Sequence, residues 1–339
     1  MERHILAPVS PIVIGLVNSM PGEARKHTEQ QFRSILSAAC LNAAVELRFY
    51  SLDTVMPALT QGRCGEARYE DSSRLETAVP DALIVTGAPP QAAALVDEPY
   101  WRKLTELVDF AVDHAVPTMW SCLAAHAAVL YLDGIERRRL PGKLSGLYDF
   151  ARTEAAHPIV ADMPRRWRVP HSRYNELPED ELLRHGYRVL SRSDDGGVDL
   201  FIKEVTALFV FCQGHPEYDA QTLLREYRRD VRQYLACQRD DYPAIPHGYF
   251  GPEATAVLTA FRERAMRERS ADLSAAFPTE ACLANLGHGW HGLAVNLYAN
   301  WLGLVMQRKA ARSVTDPAFL ASPSAPLVTG DVAPVLGQG

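Results

Sequence analysis

The stretch Pro117-Thr118-Met119-Trp120-Ser121-Cys122-Leu123-Ala124-Ala125-His126, running on to Gly134, decides how this chain is read. Residues 117–121 suit a short buried strand, a helix follows from Leu123, and Cys122 falls at their junction. A thiol at the amino end of a helix feels the positive end of the helix dipole and loses its proton more readily. The Leu123 amide is then directed where an oxyanion would form. Much later, residues 208–219 read LFVFCQGHPEYD and supply His215 and Glu217. A nucleophile needs a base and the base an orienting carboxylate, so the two segments together hold the parts of a thiol-based acyl-transfer site.

The surroundings of Cys122 fit one architecture. Pro11 to Val17 is a short apolar run suited to a parallel strand, and Thr28-Glu29-Gln30-Gln31 has capping-box spacing ahead of Phe32, Ile35 and Leu36 at helical intervals. Val45–Leu52 and Ala82–Gly87 read as further strands, and Trp101–His114 as a helix. Strands alternating with helices imply an α/β fold, a parallel sheet with helices on both faces, whose functional groups gather beyond the carboxyl ends of the strands. Gly87 and Cys122 both fall there. The Thr86-Gly87-Ala88-Pro89 turn is a second source of oxyanion donors, because glycine lets main chain approach a ligand closely.

Beyond Gly134 the pattern is mixed. Leu144–Ser172 reads as short segments broken by Pro158, Pro164 and Pro170, followed by three strands at Tyr187–Ser191, Leu200–Lys203 and Ala207–Phe211. Asp219 is the expected cap of a helix through Leu223, Leu224, Tyr227, Val231 and Leu235, with Arg229 off its apolar stripe. Pro252–Arg269 reads as a surface helix, Ser270–Gly289 as irregular and Leu293–Gln307 as a last helix bearing Trp301. The reading is therefore one domain over 1–311 and a disordered tail over 312–339.

Composition narrows the function. A net charge of -6 with scattered Lys and Arg leaves no basic stripe for nucleic acid, and no apolar run approaches the length of a membrane span. With no secretory leader visible, the expected setting is cytoplasmic. The six cysteines form no C-x-x-C pair, which argues against a metal site and a disulfide framework. For any one of them the ordinary reading is a small buried apolar residue, so Cys122 is singled out by context alone. A lone histidine is likewise most often structural. Glu217 changes that for His215, since in an extended segment residues two apart face the same side. His126, one helical turn after Cys122, is the competing base.

Longer strings add a family resemblance. Asn18-Ser19-Met20-Pro21, Thr28-Glu29-Gln30-Gln31-Phe32, residues 83–89 (LIVTGAP), Lys143-Leu144-Ser145-Gly146, Pro170-His171-Ser172-Arg173-Tyr174 and residues 214–219 (GHPEYD) resemble the homoserine O-acyltransferases of methionine biosynthesis, of the homoserine O-succinyltransferase type. The resemblance covers roughly residues 12 to 240, with an echo at Asn300-Trp301-Leu302. It implies a flavodoxin-like, class I glutamine amidotransferase-like fold with a Cys122, His215, Glu217 triad. It further implies ping-pong transfer of an acyl group from acyl-CoA, as co-substrate, through a Cys122 thioester to the homoserine hydroxyl. Backbone donors would come from Leu123, Gly87 and Ala88, substrate contacts from Lys143, Ser172 and Arg229, with no resident cofactor, and the enzyme would be a homodimer. Arg229, on the residues alone, is a solvated helix face.

Departures from the family pattern bear on specificity. The second residue after T-G-A-P is linked to donor choice, Glu in many acetyl-transferring and Gly in succinyl-transferring members, and here it is Gln91. A neutral Gln does not repel a second carboxylate, so succinyl-CoA is expected, with acetyl-CoA as the alternative. The loop Gly22–His27 reads as two residues longer than usual and 251–289 as an insertion, so serine is an alternative acceptor. A glutaminase using the same triad is the rival class. It would need a synthetase partner and often has glycine two residues beyond the nucleophile, where this chain has Ala124.

Overall fold

The computed structural model describes residues 11–40, 44–52, 69–284 and 286–315. The first half alternates strands β1 (Ile12–Val17), β2 (Val45–Ser51), β3 (Tyr69–Asp71), β4 (Ala82–Val85) and β5 (Thr118–Ser121) with helices α1 (Gly22–Ala39), α2 (Trp101–Asp113) and α3 (Leu123–Asp133). The second half adds β6 (Arg138–Arg152), β7 (Arg166–Glu176), α4 (Glu179–Arg184), β8 (Arg188–Val189), β9 (Ser191–Ser193), β10 (Gly197–Val198), β11 (Leu200–Glu204) and β12 (Leu208–Cys212). Helices α5 (Thr222–Leu235), α6 (Pro252–Glu268), α7 (Thr279–Leu283) and α8 (His291–Thr315) follow.

The main sheet runs β3-β2-β1-β4-β5-β12-β11-β8. Pairing is parallel from β3 through β12 and antiparallel at β11 and β8. Side chains alternate between two cores, as strands buried on both faces require. Ile14, Leu16, Ile84, Met119 and Val210 pack with α1 and α8 on one side. Val17, Leu83, Val85, Trp120 and Phe211 pack with α2 and α3 on the other. No helix among the described residues is long and apolar enough to cross a membrane.

Several local expectations are corrected. The stretch 144–172 is not a set of broken segments. β6 and β7 form a long antiparallel ladder in a second sheet of order β10-β9-β6-β7. Its prolines are accommodated because β7 is an edge strand, where a missing N–H costs little, and because the register shifts between Arg139 and Leu144, beside Pro141. Helix α1 begins at Gly22, so Thr28 lies inside it and the supposed amino-terminal loop is helical. Helix α5 begins at Thr222, with Gln221 at the cap position; Asp219 instead accepts from the Gln221 amide at 2.8 Å and pairs with Arg225.

Residues 251–289 are more ordered than expected, with a 3-10 turn at Ala271–Ala276 and α7 after α6. Leu258, Phe261, Ala265, Leu273 and Phe277 pack on Leu223, Tyr227, Val231 and Tyr234 of α5, forming a third core that buttresses that helix from outside. The last helix runs on to Thr315, into the stretch expected as tail, and residues from 316 lie outside the described residues, as does Cys64.

Trp301 of α8 is fully buried among Phe32, Tyr298 and the sheet side chains. Trp301→Ala is therefore expected to lower unfolding stability by about 3–5 kcal/mol in urea titration. A loss below about 1 kcal/mol would mean that α8 is dispensable to this core.

Candidate active site

Cys122 sits on a sharp turn between β5 and α3, with φ 51° and ψ -114°. A non-glycine residue held there stores about 1–3 kcal/mol of strain, so its surroundings must hold it. They do: β5 lies between β4 and β12, and the Cys122 amide donates to the Cys212 carbonyl at 2.7 Å, one rung past the last residue of β5. Leu123 opens α3, where a first-turn amide has no intrahelical acceptor. The turn after β4 lies directly against it. A Cβ placed on Gly87 would stand 3.0 Å from both the Leu123 nitrogen and its Cβ, so only glycine leaves that amide clear.

His215 and Glu217 meet at the end of the neighbouring strand. His215 Nδ1 is 2.9 Å from Glu217 Oε1, and that oxygen also accepts from Ser121 Oγ at 3.3 Å. The two are brought together by a turn at Pro216-Glu217, a correction to the extended segment read from the sequence. The loop is fixed from below: the Gly214 amide donates to the buried Asp199 at 2.8 Å and the His215 amide to Pro170 at 2.8 Å. Tyr218 stacks on the imidazole at 4.2 Å, and its carbonyl accepts from Trp290 Nε1 at 2.8 Å. Burial alone would lower the His215 pKa. The charges of Cys122 and Glu217, and hydrogen bonds to both side chains, outweigh that and raise it well above the ordinary histidine value.

The three expected substrate contacts also converge, though not as free groups. Ser172 on β7 donates to Glu226 Oε2. Lys143 Nζ lies 2.7 Å from Asp230 Oδ2 and 3.8 Å from Glu226, while Arg229 Nη2 is 2.8 Å from Asp230 Oδ1. Burial would raise the Asp230 pKa, but the two cations hold it below the usual carboxylate range. Both expected cations are thus already paired with one carboxylate. The Tyr218 hydroxyl donates to Glu226 Oε1 at 2.7 Å, which connects this network to the ring stacked on His215.

Gln91 lies exposed at the far end of the turn that starts at Gly87. His126, the competing base, is 2% exposed, and its Nε2 bonds the neutral amide of Gln213 at 2.9 Å. Burial, with Arg173 adding to it, lowers its pKa to about 3, which suits a structural histidine rather than a base. Sequence reasoning missed Glu226, Asp230, Tyr218, Glu98 and Arg173. Arg173, 4% exposed and electrostatically coupled to Cys122, stood inside a quoted string and could have been found as a charge with no exposed face.

A strained thiol at a helix start, an imidazole held by a carboxylate and a glycine-walled amide, on a doubly wound α/β scaffold, are the parts that thiol-based acyl transfer requires. The model of the homoserine O-succinyltransferase family matches residues 2–311. A homoserine O-succinyltransferase of Methylorubrum extorquens is 49% identical over 297 residues, covering 88% of each chain. That of Bradyrhizobium japonicum is 44% identical, over 89% of this chain and 92% of its own. Among solved structures, a glutamine amidotransferase from Methylobacillus flagellatus superposes with a TM-score of 0.49 at 16% identity, over 86% of this chain and 94% of its own. On the sequence match, the chain belongs to the homoserine O-succinyltransferase family.

Gly87→Ala is expected to cut kcat of acyl transfer by about 100-fold with little change in melting temperature, by covering the Leu123 amide. Near-normal kcat would show that this amide is not used. A second expectation concerns acid stability. His126 stays neutral in the fold down to about pH 3, whereas in the unfolded chain it protonates near its ordinary pKa of about 6.5. Its contribution is thus absent above that value and increasingly destabilising as pH falls towards 3. Asp199, pushed by burial to about 6, opposes this by holding its proton in the fold, so the readout is a difference between variants. The stability of His126→Gln should fall less steeply than that of wild type between pH 6.5 and 3; parallel curves would refute the assignment.

Proposed function

We propose that this protein acylates the side-chain hydroxyl of L-homoserine from an acyl-CoA, in methionine biosynthesis, through a thioester on Cys122. The observation that carries the reading is the His215 ring held between the Cys122 thiol and Glu217 Oε1 at 2.9 Å, inside a family match that spans most of the chain. The Cys122 thiolate attacks the acyl-CoA carbonyl, and the oxyanion is met by the Leu123 amide and by backbone of the Gly87-Ala88 turn. As the carbonyl re-forms, coenzyme A leaves as a thiolate and takes the proton from the His215 imidazolium. His215, now neutral, accepts the proton of the homoserine hydroxyl as that oxygen attacks the thioester, and Cys122 is released as thiolate beside a re-formed imidazolium. Glu217 holds the ring and balances its charge throughout.

The acceptor is a zwitterion, and the Lys143, Ser172, Glu226, Arg229, Asp230 network is matched to one. Arg229, with its side chain about half exposed, is the partner for the α-carboxylate. Glu226, which already collects Ser172 and Tyr218 hydroxyls, is the partner for the α-ammonium. Succinyl-CoA is the donor we favour, because neutral Gln91 leaves room for a second carboxylate. Serine in place of homoserine would leave the hydroxyl one methylene short of His215.

The test is incubation of the purified protein with succinyl-CoA or acetyl-CoA and with homoserine, serine or glutamine, following coenzyme A thiol and ammonia. Succinyl-CoA with homoserine should give turnover that Cys122→Ala abolishes to background, a loss of at least about 1,000-fold. Unchanged turnover in that variant would sink the covalent mechanism, and ammonia from glutamine would favour the glutaminase.

A further inference from the structure

The turn that starts at Gly87 leads into a polar cluster that neither the triad nor the acceptor network uses. Glu98, 3% exposed, holds the turn by its main chain: Oε1 accepts from the amides of Gln91 at 3.0 Å and Ala92 at 3.2 Å, and Oε2 from Gln91 at 3.1 Å. Next to it is Arg137, in the loop between α3 and β6. Among the described residues its Nη2 makes only a long 3.5 Å contact with the Ala93 carbonyl, and its Nη1 is buried without a hydrogen-bond partner. Its charge is felt by Glu98 and Tyr100 and by His126, one turn into α3 from Cys122. The Tyr100 hydroxyl, in a residue 7% exposed, is likewise buried and without a partner among the described residues. A guanidinium nitrogen buried with no carboxylate on it among the described residues is costly and uncommon, and a second orphaned donor beside it makes the arrangement harder to explain as packing.

We propose that Arg137, aided by the Tyr100 hydroxyl, binds the distal carboxylate of a dicarboxylic acyl group carried on Cys122. The inference rests on the acyl-enzyme reading above and deepens it. The placement fits: the turn runs from the Leu123 amide, where the acyl carbonyl is held, to Ala93, on which Arg137 rests. A four-carbon diacid extends past its thioester by about one helical turn, ~5.4 Å, and His126, on which the Arg137 charge acts, lies four residues on from Cys122. The phosphates of coenzyme A lie on the other side of the reacting sulfur. Glu98 keeps its own oxygens on backbone amides, so it supplies a nearby counter-charge without capping the guanidinium. Gln91 then acts through the same device, since Glu98 fixes its main chain and its neutral side chain adds no repulsion at the carboxylate.

The experiment compares succinyl-CoA, acetyl-CoA and butyryl-CoA, the last matching succinyl in chain length without the charge. Acyl-enzyme formation is read by intact-protein mass and by the rate of coenzyme A release. In Arg137→Gln, kcat/KM for succinyl-CoA should fall about 10- to 100-fold, with acetyl-CoA within about 3-fold of wild type and the succinyl-over-butyryl preference lost. Arg137→Lys should recover part of that preference. Should the glutamine variant fold poorly, Tyr100→Phe should still lower succinyl-CoA use selectively, by about 3- to 10-fold. Equal losses with succinyl-CoA and acetyl-CoA would assign Arg137 a structural role and overturn the proposal, as would a wild type that prefers acetyl-CoA. A wild type that forms no acyl-enzyme on Cys122 with any donor would instead remove the catalytic reading beneath it.

Discussion

The hydrogen bond from the Cys122 amide to the Cys212 carbonyl, at 2.7 Å, is the constraint on which the rest of the site depends. It extends the parallel ladder of β5 and β12 by one rung, so that the thiol and the loop bearing His215 leave the sheet side by side. Parallel strands end together, and their carboxyl ends form one rim; that is why Cys122 and His215, far apart in sequence, meet there. The register is held by burial on both faces: Trp120 and Phe211 face one core, Met119 and Val210 the other. A slip of one residue would exchange those faces and carry Cys122 away from His215. The strain at Cys122 is tolerable because this packing leaves the turn no alternative.

Around that rim, charge is managed by pairing rather than by exposure. Asp230 carries Lys143 and Arg229, Glu226 collects two hydroxyls, and Glu217 holds the imidazole. Each of these carboxylates is thus engaged within the fold, although Glu217 Oε2 is buried without a partner among the described residues, and the pairing offsets part of the cost of taking these ions out of water. The segment 251–289 contributes through helix α5. By covering the apolar face of α5 it holds Glu226, Arg229 and Asp230 of that helix against β7 and Lys143.

Much of this was legible in the chain. The apolar runs at 12–17, 82–85 and 118–121, each flanked by helical periodicity, were enough for a parallel α/β sheet, and Cys122, His215 and Glu217 stood out by position. What misled were local signals overridden by tertiary context. Pro170 reads as a breaker, yet it sits on an edge strand where no ladder bond is lost. Thr28 reads as a cap, but helix α1 already runs from Gly22 to Ala39, with Phe32, Ile35 and Leu36 buried against the sheet. The second sheet escaped because its pairing joins β6 to β7 across a register shift that no sequence period announces.

By itself, then, the sequence determined the fold class and singled out Cys122, His215 and Glu217 as candidates, because these readings depend on hydrophobic period and on residue types with few other uses at a strand end. Only the tertiary structure decided that His126 is a buried neutral ring, that Lys143 and Arg229 share Asp230, that Glu98 pins the turn at Gln91 and that Arg137 keeps a buried donor without a partner among the described residues. Protonation, pairing and desolvation are set by which groups lie within a few ångströms across the fold, and that proximity is not encoded in any local stretch of chain.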